Sequence, residues 1–333
     1  MRQNTLQQHI TTGRLTLPVA LLILLGGWVL SLYYPFVTSI PENGSPIWNK
    51  LTDYLPKELP LSLGINLVTY LLIGFLLIPF NNTIAIIRTR ASIQTSLFFV
   101  WSAFLPIIHP LQCDTFTTIL LLASMVCFMP GYQHPKPMPY IYHAWLLLGI
   151  ASWLAPEVLL LIPVYLIGAY QFHILSLKSF IAGILGILFS YLIFCILAGS
   201  MQQTPLILAQ LDTFRQLFTT YSPPHHERWM IVLMIFHATL LFIALFHYWI
   251  KNAQLKIKTR DFMNFFLTIE LFLQIIIYLK PETLYTLLPI SLICLSLIEG
   301  HFFTTVQNKI TNLLLILTFI MTIILYGLIL WKV

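Results

Sequence analysis

One acidic residue lies in the middle of a long apolar segment, where a charged group needs a purpose or a partner. Glu270 is enclosed by the apolar stretch 262–279, and a carboxylate at the centre of a bilayer is costly unless it is neutral or paired. With a helical rise of roughly 1.5 Å per residue, His237 on the preceding apolar segment falls level with Gln274, one turn from Glu270. We therefore predict an intramembrane polar cluster of His237, Glu270 and Gln274. Such a cluster acts either as a proton or ion relay or as an interhelical hydrogen bond that fixes packing.

Carboxylates outside the apolar segments form a second set of candidates. Glu42 and Asp53 lie in one polar segment, and Asp114 opens the fourth apolar segment. If they converge in one cavity, they supply a general base and ligands for a divalent metal ion, and Arg215 and Arg228 bind a substrate phosphate. The helix dipole alone also explains an acid at the start of a helix, such as Asp114. The spacing matches no recognised metal motif, so the metal stays open.

The composition excludes a water-soluble protein. Of 333 residues, 58% are hydrophobic and 8% are charged, and the mean hydropathy is +0.86. So many apolar side chains cannot be hidden in one soluble core. No polar stretch is long enough for a separate domain, so residues 1–333 form a single transmembrane domain. The 17 basic residues are spread singly between apolar segments, unlike the clustered patch that binds nucleic acid.

Eleven apolar segments approach the roughly 20 residues that a helix needs to cross a bilayer. The third and the fifth are short and are interrupted or bounded by proline, so either is also compatible with a re-entrant or tilted element. The pattern predicts an all-α polytopic transmembrane helical bundle of about 11 spans, near 15–33, 62–80, 92–109, 113–129, 139–154, 156–173, 178–199, 229–250, 262–279, 283–300 and 310–331.

The distribution of Lys and Arg orients this bundle. With the N-terminus in the cytoplasm, eleven basic residues lie on the cytoplasmic side and six lie on the outer side, in agreement with the positive-inside rule. The loops 81–91 and 251–261 are the basic cytoplasmic ones, and their charges also suit contact with anionic lipids. The lipid bilayer is therefore the partner that the sequence assigns, and protein partners stay unknown.

Two outer loops, 34–61 and 200–228, are long enough to hold helices of their own. In the first loop, the pair Ser45–Pro46 is typical of a helix start. In the second loop, the pair at 204–205 opens an amphipathic pattern whose apolar residues are spaced i, i+4, i+7, i+11 and i+14. We predict a short helix along the membrane in each loop. The apolar positions of the second helix are Ile207, Leu211, Phe214, Phe218 and Tyr221.

Three short motifs carry a resemblance to a known family. The stretch 149–156 reads G-I-A-S-W-L-A-P, and the stretch 176–180 reads S-L-K-S-F. They resemble the G-L-A-S-L-x-x-P and S-x-R-x-F motifs of a family of uncharacterised polytopic envelope proteins of Bacteroidota. The stretch 186–191, G-I-L-F-S-Y, departs from the family's G-L-L-x-P-Y because it lacks the proline. The resemblance implies a multi-pass protein of the bacterial inner membrane and no settled activity.

The overall layout is also similar to that of the C-type glycosyltransferase superfamily. The shared features are a cytoplasmic N-terminus, a long first outer loop, an acid near the fourth span and a large outer loop after the seventh. This resemblance implies sugar transfer from a polyprenyl-phosphate donor at the outer face, with Glu42, Asp53 or Asp114 as the base. One departure is that the superfamily's acid follows the first span at once, whereas the nearest acid here is Glu42.

Two other functions stay open at this point. The chain is also compatible with a non-catalytic envelope-assembly or secretion partner, whose outer acids only cap helices, and with a transporter that uses His237 and Glu270. An outward cavity lined by Asp53 and Asp114 favours the transferase. A midplane cavity around Glu270 favours the transporter.

Overall fold

A computed structural model describes residues 6–34, 45–56, 58–87, 92–200, 202–219, 228–251, 254–306 and 308–331. Within these ranges the chain forms α-helices joined by loops and 3₁₀ turns, and no strand. The helices are α1 (Leu6–Thr12), α2 (Thr16–Tyr33), α3 (Pro46–Leu51), α4 (Leu59–Ile84), α5 (Ile93–Ala103), α6 (Cys113–Phe128), α7 (Met138–Leu154), α8 (Ile162–Gln171), α9 (Leu177–Ser200), α10 (Thr204–Thr219), α11 (Arg228–Lys251), α12 (Ile257–Leu279), α13 (Leu284–Thr305) and α14 (Lys309–Trp331).

In the described part of the chain, eight helices are long and apolar enough to cross a bilayer: α2, α4, α6, α9, α11, α12, α13 and α14. The all-α polytopic bundle predicted from the sequence is thereby confirmed. All eleven predicted segments are helical, but three of them hold shorter helices. Helix α5 has 11 residues and α7 has 17, and the sixth segment is divided between a 3₁₀ turn, Pro156–Leu161, and α8. Pro106 and Pro156 lack the amide hydrogen that a continuous helix needs at those points.

Hydrogen bonds between distant segments define one end of the bundle, which we call the α1 end. The side-chain nitrogen of Gln7 on α1 donates to the carbonyl oxygen of Phe303 in the last turn of α13 and to that of Val306 directly after it. Beyond the end of α6, the Tyr132 hydroxyl donates to Asp261 near the start of α12, at 3.0 Å. The start of α12 and the ends of α6 and α13 therefore lie together at this end of the bundle. Helices α6 and α13 run antiparallel to α12.

The opposite end of the bundle, which we call the α10 end, is defined in the same way. Gln210 on α10 donates to the carbonyl oxygens of Ser152 and Trp153 at the end of α7. Lys280, directly after α12, donates to the carbonyl oxygen of Leu217 on α10. Helices α7 and α12 thus end at the face on which α10 lies. Which end faces the cytoplasm stays a prediction.

Helix α5 is short and lies entirely inside the protein. All 11 of its residues are buried, and α2, α4 and α13 pack around it. Its first turn approaches α13, because a Cβ atom on Gly300 would lie 3.6 Å from the Cα atom of Gln94. After α5 the chain turns at Pro106 and continues to the start of α6. A helix that does not span the bilayer is tolerated here because its neighbours, rather than lipid, surround the backbone that follows it.

Both predicted outer-loop helices are present, as α3 and α10. The Ser45 hydroxyl accepts a hydrogen bond from the backbone nitrogen of Trp48 at 3.1 Å, so Ser45 caps α3 as its sequence indicates. Helix α10 starts at Thr204 as expected. The two helices contact each other, so both lie at the α10 end.

Candidate functional site

A buried asparagine on α4 holds the loop that precedes α6. The side-chain nitrogen of Asn66 donates to the carbonyl oxygens of Ile108, His109 and Pro110 at 2.8–3.1 Å. Its side-chain oxygen accepts a hydrogen bond from the Thr115 hydroxyl at 2.8 Å. One side chain therefore fixes both the loop and the first turn of α6.

An imidazole anchors the same loop to α2 and α5. The His109 ring stacks on Trp28 with the ring centroids 3.8 Å apart. Its Nδ1 atom lies 2.5 Å from the Ser31 hydroxyl, and its Nε2 atom lies 2.9 Å from the carbonyl oxygen of Ser102. Because a carbonyl oxygen only accepts, Nε2 carries the proton in the neutral ring and Nδ1 accepts from Ser31. His109 thus holds the loop against α2 and α5.

Asp114 lies at the end of this loop, in the first turn of α6. Its side chain is 1% exposed, lies 3.4 Å from the Thr115 hydroxyl and interacts electrostatically with Tyr70 on α4. The second oxygen, Oδ2, makes no hydrogen bond to any described residue. The position fits the stabilisation that a helix N-terminus gives an acid, but a buried oxygen without a partner is unfavourable. Oδ2 and the Tyr70 hydroxyl, which interacts with the Asp114 carboxyl group, are therefore two polar atoms of this site without a close hydrogen bond to a described residue.

A second acid and a cation meet next to the start of α6. Glu157, half-buried in the 3₁₀ turn before α8, interacts electrostatically with Lys280. Cys113 interacts electrostatically with both Asp114 and Glu157, so the two acids belong to one polar region. The bond from Lys280 to Leu217 joins this region to α10.

Helices α3 and α10 pack onto the elements that carry these groups. Trp48 on α3 contacts Phe116 on α6, with ring centroids 6.1 Å apart. Gln210 on α10 is 1% exposed, and α10 also contacts the 3₁₀ turn that holds Glu157. The polar region is therefore bounded by two helices that lie across the α10 end.

The structure separates most of the residues that the sequence suggested for this end. Asp53, in the 3₁₀ turn after α3, is exposed, whereas Asp114 is buried. Arg215 on α10 and Arg228 at the start of α11 are exposed as well. Glu42 lies outside the described residues. Asp53 is thus exposed and Asp114 is enclosed by α4 and α6, and neither acid lines the two cavities found among the described residues, so the shared outward cavity that would favour the transferase is not observed there.

Three residues of the α10 end were not found from the sequence. Lys280 looked like an ordinary charge at the end of a span, and its bond to α10 depends on how the chain folds back. Asn66 and Tyr70 are polar groups inside an apolar segment, the same signal that singled out Glu270. Asn66 and Tyr70 are both found when every polar residue within an apolar segment is considered, rather than only the charged ones.

Part of the predicted intramembrane cluster is present. The side-chain nitrogen of Gln274 donates to Oε1 of Glu270 at 2.9 Å, and the Ser291 hydroxyl donates to the same oxygen at 2.7 Å. Glu270 is fully buried. In the part of the chain that the structure describes, His237 is not among the hydrogen-bond partners of Glu270. Helix α13 packs against α12, and its Ser291 takes the position that the sequence suggested for His237.

A groove of about 510 Å³ lies between α11 and α12. Its walls are mostly apolar and include Ile235, Phe242 and Ile275, which are 53–68% exposed. Exposed apolar side chains on a membrane-crossing helix face lipid, so the groove opens towards the bilayer. Gln274 is a polar residue in its wall, and its bond to Glu270 links the groove to the buried acid.

These features define the class of the protein, a multi-pass helical membrane protein with buried carboxyl groups at one end and in the middle of its bundle. Among the described residues, no group of three or more His, Cys, Asp or Glu side chains is placed to hold a metal ion. Comparisons with protein-family models, with curated proteins and with solved structures find no match. The function is therefore inferred from the residues and contacts of this chain.

Proposed function

We propose that this chain is a transferase of the bacterial inner membrane that acts, at its α10 end, on a sugar linked to polyprenyl phosphate. The observation that carries the proposal is the buried carboxyl group of Asp114 at the start of α6, beside the Tyr70 hydroxyl. It lies in the same polar region as the Glu157–Lys280 pair, next to two helices that cross the end of the bundle. Transfer from a lipid-linked donor requires a general base for the acceptor hydroxyl, a cation for the phosphate, and a site at the membrane surface.

The chemistry follows from these groups. Asp114 accepts the proton of an acceptor hydroxyl while that oxygen attacks the anomeric carbon of the sugar. The bond from this carbon to the phosphate oxygen breaks, and polyprenyl phosphate leaves with the electron pair. The ammonium group of Lys280 offsets the charge of the phosphate. Arg215 and Arg228, exposed on α10 and α11, are further phosphate contacts in this proposal.

Resemblance supports the proposal through the arrangement of the chain. The first outer loop holds α3, and the later loop holds α10, as in the layout of the C-type superfamily. In this proposal Asp53 and Glu42, two acids of the first outer loop, serve as an alternative base or as ligands of a divalent metal ion. The location in the cell envelope rests on the resemblance to the Bacteroidota family.

A strain that lacks this gene tests the proposal when it is complemented with matched variants. We expect Asp114→Asn to lose the surface glycan and to accumulate the polyprenyl-linked donor, because the neutral amide cannot take the proton. Asp212→Asn, which changes an exposed acid on α10, should restore the wild-type profile of glycans and lipid-linked intermediates. If Asp114→Asn also restores that profile, the transferase is refuted and a non-catalytic envelope-assembly or secretion partner is favoured.

Glu270 supports a second candidate function, a transporter that moves protons or ions. Its Oε2 atom has no partner among the described residues, and Gln274 connects it to the groove between α11 and α12. Reconstituted vesicles loaded with a pH-sensitive dye test this candidate. Glu270→Gln should abolish a flux that the exposed-site control Glu58→Gln retains, and an unchanged flux in Glu270→Gln excludes a relay through this acid.

A further inference from the structure

A second fully buried carboxyl group lies in the interior, on α13. Glu299 is 1% exposed, and neither of its side-chain oxygens has a hydrogen-bond partner among the described residues. The whole candidate span that contains α13 is buried within the bundle. A charged group left in such surroundings without a partner is strongly unfavourable. An ionised Glu299 would therefore need neighbouring groups that compensate its charge.

Trp101 and Gln94 are two buried side chains with polar atoms on α5, which packs against α13. Trp101 interacts with the Glu299 carboxyl group, and its indole nitrogen has no hydrogen bond to another described residue. Gln94 lies seven residues earlier, on the same face of α5, and its Cα atom approaches Gly300, the residue after Glu299. Both polar atoms of the Gln94 amide are buried and without a partner. Five unpartnered polar atoms of these three side chains thus lie between α5 and α13.

The donors and acceptors of this cluster match a protonated acid. The indole of Trp101 only donates, and the amide of Gln94 both donates and accepts. A carboxylic acid at Glu299 can donate its O–H to an amide oxygen such as that of Gln94 and accept from the indole N–H of Trp101, which interacts with it. A metal cation is a poorer match, because it needs six or so oxygen ligands and the indole N–H would point a positive hydrogen towards it.

We propose that Glu299 is a proton-binding site that takes up and releases one proton inside the bundle, with Gln94 and Trp101 as the hydrogen-bonding partners of the acid form. The proton leaves to water and the carboxylate stays behind, so no other reactant is required. This inference goes beyond the transferase proposal and does not depend on it.

Glu270 is the titratable group that acts on this site. The Glu299 carboxyl interacts electrostatically with it, and each acid has at least one unpartnered oxygen. Titratable side chains on the helices packed against α13 include Glu270 on α12, His237 and His247 on α11, Asp114 and Cys127 on α6, and His9 on α1, and α13 itself carries Cys294 and His301.

Infrared difference spectroscopy of the full-length protein in lipid nanodiscs tests the proposal. The wild type should show one carboxylic-acid C=O band that Glu299→Gln lacks, and glutamine is close enough in shape to keep the packing. The band should shift in D₂O and lose intensity as the pH is raised. Glu282→Gln, which changes an exposed acid before α13, is the control and should leave the carboxylic-acid band unchanged.

Two results overturn the proposal. One is that Glu299→Gln removes only a carboxylate signal, and the other is that the acid band neither exchanges in D₂O nor responds to pH. Where Glu299→Gln does not fold, Trp101→Phe provides a second measurement on the native acid. Loss of the indole donor should move the same band to higher frequency, and an unchanged spectrum contradicts the assigned partners.

Discussion

Replacing Gly27 by alanine is expected to destabilise the protein, whereas the same change one residue earlier on α2 is not. A Cβ atom at Gly27 would lie 2.4 Å from the carbonyl oxygen of Ala103 on α5, but at Gly26 it would meet nothing within 4 Å. Ordinary van der Waals contact begins at 3.4 Å. The two helix backbones must therefore separate by about 1 Å to admit the methyl group, since the obstructing atom belongs to the main chain.

The size of the effect can be worked out from the pair of variants. Overpacking of a closely packed interior costs about 1–3 kcal/mol, and replacing a glycine inside a helix by alanine gains about 0.5–1 kcal/mol. Both variants share this gain, so the difference between them isolates the overpacking. We expect Gly27→Ala to have a free energy of unfolding about 1–3 kcal/mol lower than that of Gly26→Ala, roughly 5- to 150-fold in the folding equilibrium.

Unfolding in mixed detergent micelles, followed by loss of helical circular dichroism, measures this difference. Ser31 lies one turn after Gly27 and contacts His109, so the displacement should also loosen the loop before α6. Faster proteolysis of that loop in Gly27→Ala is the second readout. If Gly27→Ala is as stable as Gly26→Ala, the close approach of α2 to α5 is refuted.

Three further predictions concern the anchored loop, the buried acid and the orientation. Asn66→Leu should lower the free energy of unfolding by roughly 1–3 kcal/mol, because three carbonyl groups lose their donor; thermal melts against wild type measure it, and an unchanged melting temperature contradicts the anchoring. Glu270→Gln should change stability by less than about 1 kcal/mol, because an amide oxygen still accepts from Ser291; a larger loss in the same melts indicates a structural role for the charge. With the native cysteines removed, an impermeant thiol reagent should label Arg228→Cys but not Lys178→Cys in intact cells, and the reverse pattern contradicts the predicted orientation.

Features that depend on neighbours in sequence were the ones that could be predicted. The hydroxyl of Ser45 caps α3 and Thr204 opens α10, because helix starts are set by the local backbone donors that such residues satisfy. The pairing of Glu270 with Gln274 was predictable for the same reason, since residues four apart share one face of a helix.

Features that depend on which helices become neighbours were not predictable. The second hydrogen-bond partner of Glu270, after Gln274, is Ser291 on α13, whereas the sequence suggested His237 on α11. Glu299 looked like an acid near the end of a span, yet α13 is surrounded on all sides. Nothing in the amino-acid pattern of α13 marks it as an enclosed helix, because lipid-facing and protein-facing apolar side chains are chemically alike.

The sequence by itself determined the class of the protein, the positions of the helices and the two helices of the outer loops. Hydrophobic length and helix-start residues are sufficient for these, because a bilayer requires every spanning backbone to satisfy its own hydrogen bonds. Only the tertiary structure decided that α5 is a short interior helix, that Asp114 is buried while Asp53 is exposed, and that Glu299 lies beside Trp101. Burial and pairing inside a membrane bundle depend on which helices contact each other, and that choice is made by shape, glycine contacts and polar matches spread over the whole chain.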